Sequence, residues 1–290
     1  MQHPIAKTAA ATAVALALLV VVAAASVPQV RHLASGWWHN PDTLAGLPEN
    51  RQVRYEDAAL DRARIVAALL PEAVARVEAV HGRPFAHPVT IGVYLTPDAY
   101  AAAHGTLLSG SVGANFLGRV ILSPALFTTK RRRLPAILTH ELSHAHINSW
   151  VSQLGYLKLP NWFKEGLAVM ASDGGGAEEV SVADARDALR WGDHIAVNDA
   201  GSLFDWVAIR MEQPPEVPDT SYRIQMAYRQ SGLFVAFLHD SDPVAFAEMM
   251  RAILDGQPFG DAVAAGYHTG LQALWLRFLR TPGQSTGAAQ

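Results

Sequence analysis

The chain has 290 residues, 50% of them hydrophobic and 17% charged, a balance that buries a full core and excludes a disordered polymer. A net charge of −3, with no basic stripe interleaved with aromatics, gives no footprint for nucleic acid. The absence of cysteine excludes disulfides, thiolate metal sites and cysteine nucleophiles.

Residues 1–30 carry Lys7 and then, over residues 8–27, an uninterrupted run of Ala, Val and Leu with two Thr and one Ser. At about 1.5 Å per residue, twenty residues span roughly 30 Å, the thickness of a bilayer's hydrocarbon core. The run reads as a signal anchor or as a signal peptide cleaved near Ala23-Ala24-Ala25. The expectation is a single-pass inner-membrane protein that meets the membrane through residues 8–27, with the rest facing the periplasm or outside; secretion after cleavage is the alternative. Lys7 before the run and Arg31 after it leave the charge rule silent on orientation.

Residues 31–54, with Gly36, Pro41, Gly46 and Pro48, read as a spacer. Trp37-Trp38 suit either a membrane interface or docking onto the following domain. That domain spans residues 55–281, and residues 282–290 read as a flexible tail.

Residues 55–81 repeat apolar side chains at helical spacing, with Pro71 as a kink or restart and Gly82 as the stop. Residues 89–95 form a β-rich run, followed by a short helix over residues 97–103. Residues 112–116 and 120–123, joined through Gly118-Arg119, read as a hairpin. Lys130-Arg131-Arg132-Arg133 would oppose a helix dipole and reads as a solvated loop.

Residues 134–149 form an apolar helix carrying His140-Glu141-Leu142-Ser143-His144, of the form HExxH. Residues four apart on a helix lie about 40° from one another, so both imidazoles share one face, and Glu141 lies about 100° from His140. Two neutral imidazoles that bind zinc, with a carboxylate beside them that does not, is the arrangement this spacing favours. His146, about 120° from His140, reads as structural. A catalytic zinc needs a third protein ligand. The next helical stretch, Pro160-Asn161-Trp162-Phe163-Lys164-Glu165-Gly166-Leu167-Ala168, offers Glu165, with Asn161 as its cap.

HExxH followed about twenty residues later by WxxEGxA resembles the gluzincins, the thermolysin and zinc-aminopeptidase type of metallopeptidase. Within them the chain resembles the bacterial peptidase MA-like group, over roughly residues 55–279. The resemblance implies an α+β, zincin-like fold with a small, mostly antiparallel sheet ahead of the HExxH helix and a largely helical C-terminal half. It implies one Zn2+ on His140, His144 and Glu165, and hydrolysis of peptide or protein substrates by a metal-activated water with Glu141 as general base. It also implies a sheet edge beside the cleft, for which residues 113–116 are the candidate, although they read equally as a core hairpin. Tyr228, on a downstream helix, matches the family's oxyanion donor or serves as a core tyrosine. The family's acidic partner to a zinc histidine, four residues after the ligand Glu, is Val169 here, so that partner is missing or comes from elsewhere. Two other readings stand beside the peptidase: a membrane-anchored binding or assembly factor that keeps the zinc site without chemistry, and a zinc hydrolase of a non-peptide bond.

Asp173-Gly174-Gly175-Gly176 reads as a flexible break, and residues 212–220 as a Pro-rich loop. Helices follow over residues 222–239, 243–255, 259–265 and 271–279.

Overall fold

The computed structural model describes residues 28–105, 111–201, 209, 211 and 220–281. Residues 31–54, expected as a spacer, are part of the fold. They contain most of helix α1 (Pro28–Trp38), a 3-10 turn at Pro41–Thr43, strand β1 (Ala45–Leu47) and nearly all of strand β2 (Asn50–Tyr55). Their glycines and prolines serve turns and close approaches rather than a linker. Pro41 opens the 3-10 turn, capped by the Asn40 side chain, and a Cβ on Gly36 would lie 2.8 Å from the Gly105 Cα. Val53 is fully buried and pairs with Ile91 of β3 (Ile91–Val93).

With β4 (Gly113–Phe116) and β5 (Arg119–Leu122), the sheet runs β1-β2-β3-β5-β4. The class is α+β, but the sheet is mixed rather than mostly antiparallel. β1/β2 and β4/β5 pair antiparallel, while β2/β3 and β3/β5 pair parallel. The reason lies in the connections. Helix α2 (Leu60–His81) crosses over between β2 and β3, and such a crossover returns the chain to the end where it started. Antiparallel pairing is confined to hairpins. The β4–β5 turn places Leu117 and Gly118 at φ 52° and 81°, the positive pair that a two-residue hairpin favours. α2 runs through Pro71 without a stop and ends on Gly82 at φ 71°.

Two cores meet at one helix. On one side, α2 and the central helix α4 (Leu134–Trp150) cover the sheet face bearing Val53, Ile91, Val93, Val120 and Leu122. The opposite face carries Tyr94, Ala114, Phe116 and Ile121 under α3 (Pro97–Ala103). On the other side, Ile147 of α4 joins α6 (Asn161–Ala171), α8 (Thr220–Ser241), α9 (Pro243–Leu254), α10 (Phe259–Tyr267) and α11 (Leu271–Leu279). Every residue from 137 to 147 is consequently buried. A helix shared by two cores must be compatible with burial on all sides. Thr139 Oγ1 is satisfied within the helix, donating to the Pro135 carbonyl at 3.0 Å.

Two short helices, α5 (Gln153–Lys158) and α7 (Val182–Arg190), were not expected; α7 opens with a capping box between Ser181 and Asp184. The basic run forms a 3-10 turn at Arg131–Arg133 leading into α4, and Arg133 pairs with Glu178 at 2.8 Å.

The expectation of a single-pass inner-membrane protein is corrected. Among the described residues, no helix is long and apolar enough to cross a membrane. The two longest, α2 and α8, have 22 residues each but are interrupted by charge: Asp61, Arg62, Arg64, Glu72, Arg76 and Glu78 in α2, Arg223, Arg229 and Asp240 in α8. Residues 8–27, on which the anchor and signal readings rested, lie outside the described residues, as do residues 212–219 and 282–290. Trp37 and Trp38 are exposed, not docked.

Candidate metal centre

α4 contributes His140, Glu141 and His144, and α6 lays Glu165 against them. α6 begins directly after Pro160 and is anchored by Trp162, which is fully buried against Phe163, Phe234 and Phe259 and donates its Nε1–H to the Asn198 carbonyl at 2.8 Å. Gly166 allows α8 to cross close by: a Cβ there would lie 2.6 Å from the Ser231 carbonyl oxygen. From α8, Gly232 answers it, facing Val169.

The three expected ligands converge. Glu165 Oε2 lies 3.2 Å from His140 Nε2 and 3.5 Å from His144 Nε2, and the two Nε2 atoms are 3.2 Å apart. Tetrahedral ligands at about 2.0–2.1 Å from zinc have edges of about 3.3 Å, so the triangle has the size a metal requires. Its chemistry also fits. His140 Nδ1–H donates to the Gly175 carbonyl at 2.8 Å, and His144 Nδ1 lies 3.2 Å from the Tyr156 hydroxyl. With each Nδ1 holding the ring proton, both Nε2 atoms present lone pairs. Glu165 Oε2 is buried without a hydrogen-bond partner. Two lone pairs and a carboxylate oxygen pointing at one another call for a cation among them. His140, His144 and Glu165 thus form a possible metal-binding triad.

Without a metal, a proton on His140 takes the cation's place. Burial alone would lower His140, but the Glu165 and Glu141 carboxylates outweigh it and hold it at about 8. Burial would raise Glu165; His144 and His140 outweigh that and hold it well below the usual carboxylate range. Glu141 has no hydrogen-bond partner among the described residues, and burial raises its pKa, aided by Glu165 and opposed by the two histidines. It packs against edge strand β4, where a Cβ on Gly113 would meet Glu141 Oε1 at 2.7 Å. Residues 113–116 are therefore both a sheet edge and the neighbour of Glu141. Tyr228 is at the centre too: its ring stacks on His140 at 6.1 Å and 14°.

Several supporting residues escaped sequence reasoning. Tyr156, on α5, takes the place next to His144 that Val169 cannot fill. Lys164 holds it there, with its ammonium 4.5 Å over the Tyr156 ring and 3.4 Å from the Tyr156 carbonyl. A lone tyrosine in an unremarked stretch gives no sequence signal. The glycine run did give one, and it is not a loose break: Gly175 has no room for a Cβ, which would sit 2.8 Å from the Ala136 carbonyl oxygen, and a Cβ on Gly176 would lie 3.0 Å from the His140 ring. Three glycines together mark a close backbone approach as readily as a hinge. His146, read as structural, ends a buried chain of hydrogen bonds. Ser143 Oγ–H donates to His81 Nε2 at 2.9 Å, His81 Nδ1–H to His146 Nδ1 at 2.9 Å, and His146 Nε2–H to the Arg83 carbonyl at 2.8 Å.

Comparison with protein-family models, with curated proteins and with solved structures gives no match to the chain.

Proposed function

We propose that the chain is a zinc-dependent metallopeptidase of gluzincin type with a zincin-like fold. The observation that carries this reading is the convergence of His140 Nε2, His144 Nε2 and Glu165 Oε2 beside a buried Glu141 that belongs to no ion pair among the described residues. Two imidazoles and one carboxylate with a fourth position left open is a donor set characteristic of catalytic zinc. When bound, the ion would supply Lewis acidity and lower the pKa of a water toward ~7. Glu141, made more basic by burial, would accept a proton from water attacking the peptide carbonyl and hand it to the leaving amine nitrogen. Tyr228 donates its O–H to the oxygen on which negative charge develops. β4, as an edge beside Glu141, offers an extended substrate backbone a strand to pair with.

The test is metal analysis of the purified protein, joined to digestion of a peptide library with and without chelator. Glu165→Ala should lose zinc, and full retention would remove it from the ligand set. Glu141→Gln should keep zinc and fold but lose on the order of a hundredfold or more in turnover. Turnover near that of the wild type would exclude Glu141 as the base.

A further inference from the structure

We infer that Arg229 is a positioning residue for the metal centre, holding the glycine loop so that the Gly175 carbonyl fixes the orientation and tautomer of His140. The inference rests on the metal reading above.

The loop leaves α6 at Ser172 and passes over His140 before α7 begins. Asp173, Gly174 and Gly176 have φ of 56°, 96° and 87°. Such a glycine run has much conformational freedom to lose, so it stays in one path only if something outside it holds both ends. At the entry the Gly174 N–H donates to the Val169 carbonyl at 2.8 Å, and Arg229 holds the exit with one planar group. Its Nε–H donates to the Val180 carbonyl at 2.9 Å and its Nη2–H to the Ala177 carbonyl at 2.8 Å. Nη1 lies 2.6 Å from where a Gly174 Cβ would stand, so the guanidinium fills the space that glycine leaves. Between these contacts, at Gly175, is the carbonyl that accepts from His140 Nδ1–H at 2.8 Å.

Other contacts hold the same stretch between Ala177 and Val180: Arg133 pairs with Glu178, and the Glu179 N–H donates to Gln225 Oε1 at 2.8 Å. Arg229 alone among these neighbours Tyr228, whose ring stacks on His140. Consecutive residues of α8 therefore address His140 twice, once through the ring and once through the loop. Without its acceptor, the buried Nδ1–H of His140 is left unpaired, and the ring relieves this by turning or by moving its proton to Nε2, the metal-facing nitrogen. Lysine is a poor substitute because a single ammonium lacks the planar fork that spans two carbonyls.

The experiment compares full-length wild type, Arg229→Ala and Arg229→Lys for zinc affinity by chelator competition, for the His140 tautomer by 15N NMR of histidine-labelled protein, and for the metal-free melting temperature. The expected result is a zinc affinity lower by about 10–100-fold in both variants. The His140 Nδ1–H signature should weaken or disappear, while the melting temperature changes little. If Arg229→Ala fails to fold, Arg229→Lys, which keeps the charge and the alkyl stem but not the fork, carries the test, and the same loss of affinity is expected. Wild-type affinity and tautomer in folded variants overturn the inference, as does an affinity loss that merely tracks unfolding. A wild-type protein that retains no zinc overturns the metal reading itself, an outcome distinct from the other two.

Discussion

Replacing Gly166 with alanine tests whether the α6–α8 crossing sets the centre. The added Cβ would lie 2.6 Å from the Ser231 carbonyl oxygen, 2.7 Å from its carbon and 2.8 Å from Val235 Cγ2. An ordinary contact begins at 3.4 Å, so the helices must separate locally by about 0.8 Å. The first two obstacles are backbone and cannot rotate away. Overpacking of this kind costs about 1–3 kcal/mol, and a backbone clash belongs near the top of that range. Alanine returns about 1 kcal/mol of helix propensity, leaving a net loss of about 2 kcal/mol. For a domain of this size that lowers the melting temperature by roughly 4–8 °C. Because Glu165 precedes Gly166, the shift also moves Oε2 off the two imidazoles, and a site displaced by more than about 0.5 Å binds metal poorly. The assay is thermal unfolding without metal, together with zinc competition. Gly232→Ala, which meets Val169 Cγ1 at 2.5 Å and Cβ at 3.0 Å but no backbone atom closer than 3.8 Å, should lose less. Wild-type melting together with wild-type zinc affinity in the Gly166→Ala variant would refute the reasoning.

Tyr156→Phe leaves His144 Nδ1 without its hydroxyl partner and should weaken zinc binding about tenfold by chelator competition; unchanged affinity would show that Tyr156 does not orient that ring. In the metal-free protein His140, raised to about 8, keeps a proton that zinc must displace, so apparent affinity should climb roughly tenfold per pH unit up to about 8 and then level. A flat profile across that range would contradict this. Burial, helped by His146 and His144, holds His81 well below 6.5, so below that pH the unfolded chain takes a proton that the fold refuses. Stability is thus complete above about pH 6.5 and falls below it by about 1.4 kcal/mol per pH unit for this group, measurable by denaturant unfolding. His81→Gln should flatten that slope, and an equally steep one would place the effect elsewhere.

The HExxH helix and the Glu165 helix were legible without any structure, because both imidazoles lie four residues apart on one helix and local spacing alone puts them on one face. The sequence also marked β4, β5 and the long α2, whose periodicities are local. What it could not supply depends on which distant segments share a core. β2 enters the sheet by lying parallel to β3 across the α2 crossover, an outcome that its Gly- and Pro-rich flanks disguised as a spacer. His146 meets a partner 65 residues earlier, and His140 finds its acceptor 35 residues later. Tyr156 and Arg229 reach His144 and the glycine loop from helices whose own patterns are ordinary. Ligand spacing within a helix is fixed by 3.6 residues per turn, whereas the groups that set tautomer, orientation and pKa arrive only when the two cores close on α4 from both sides.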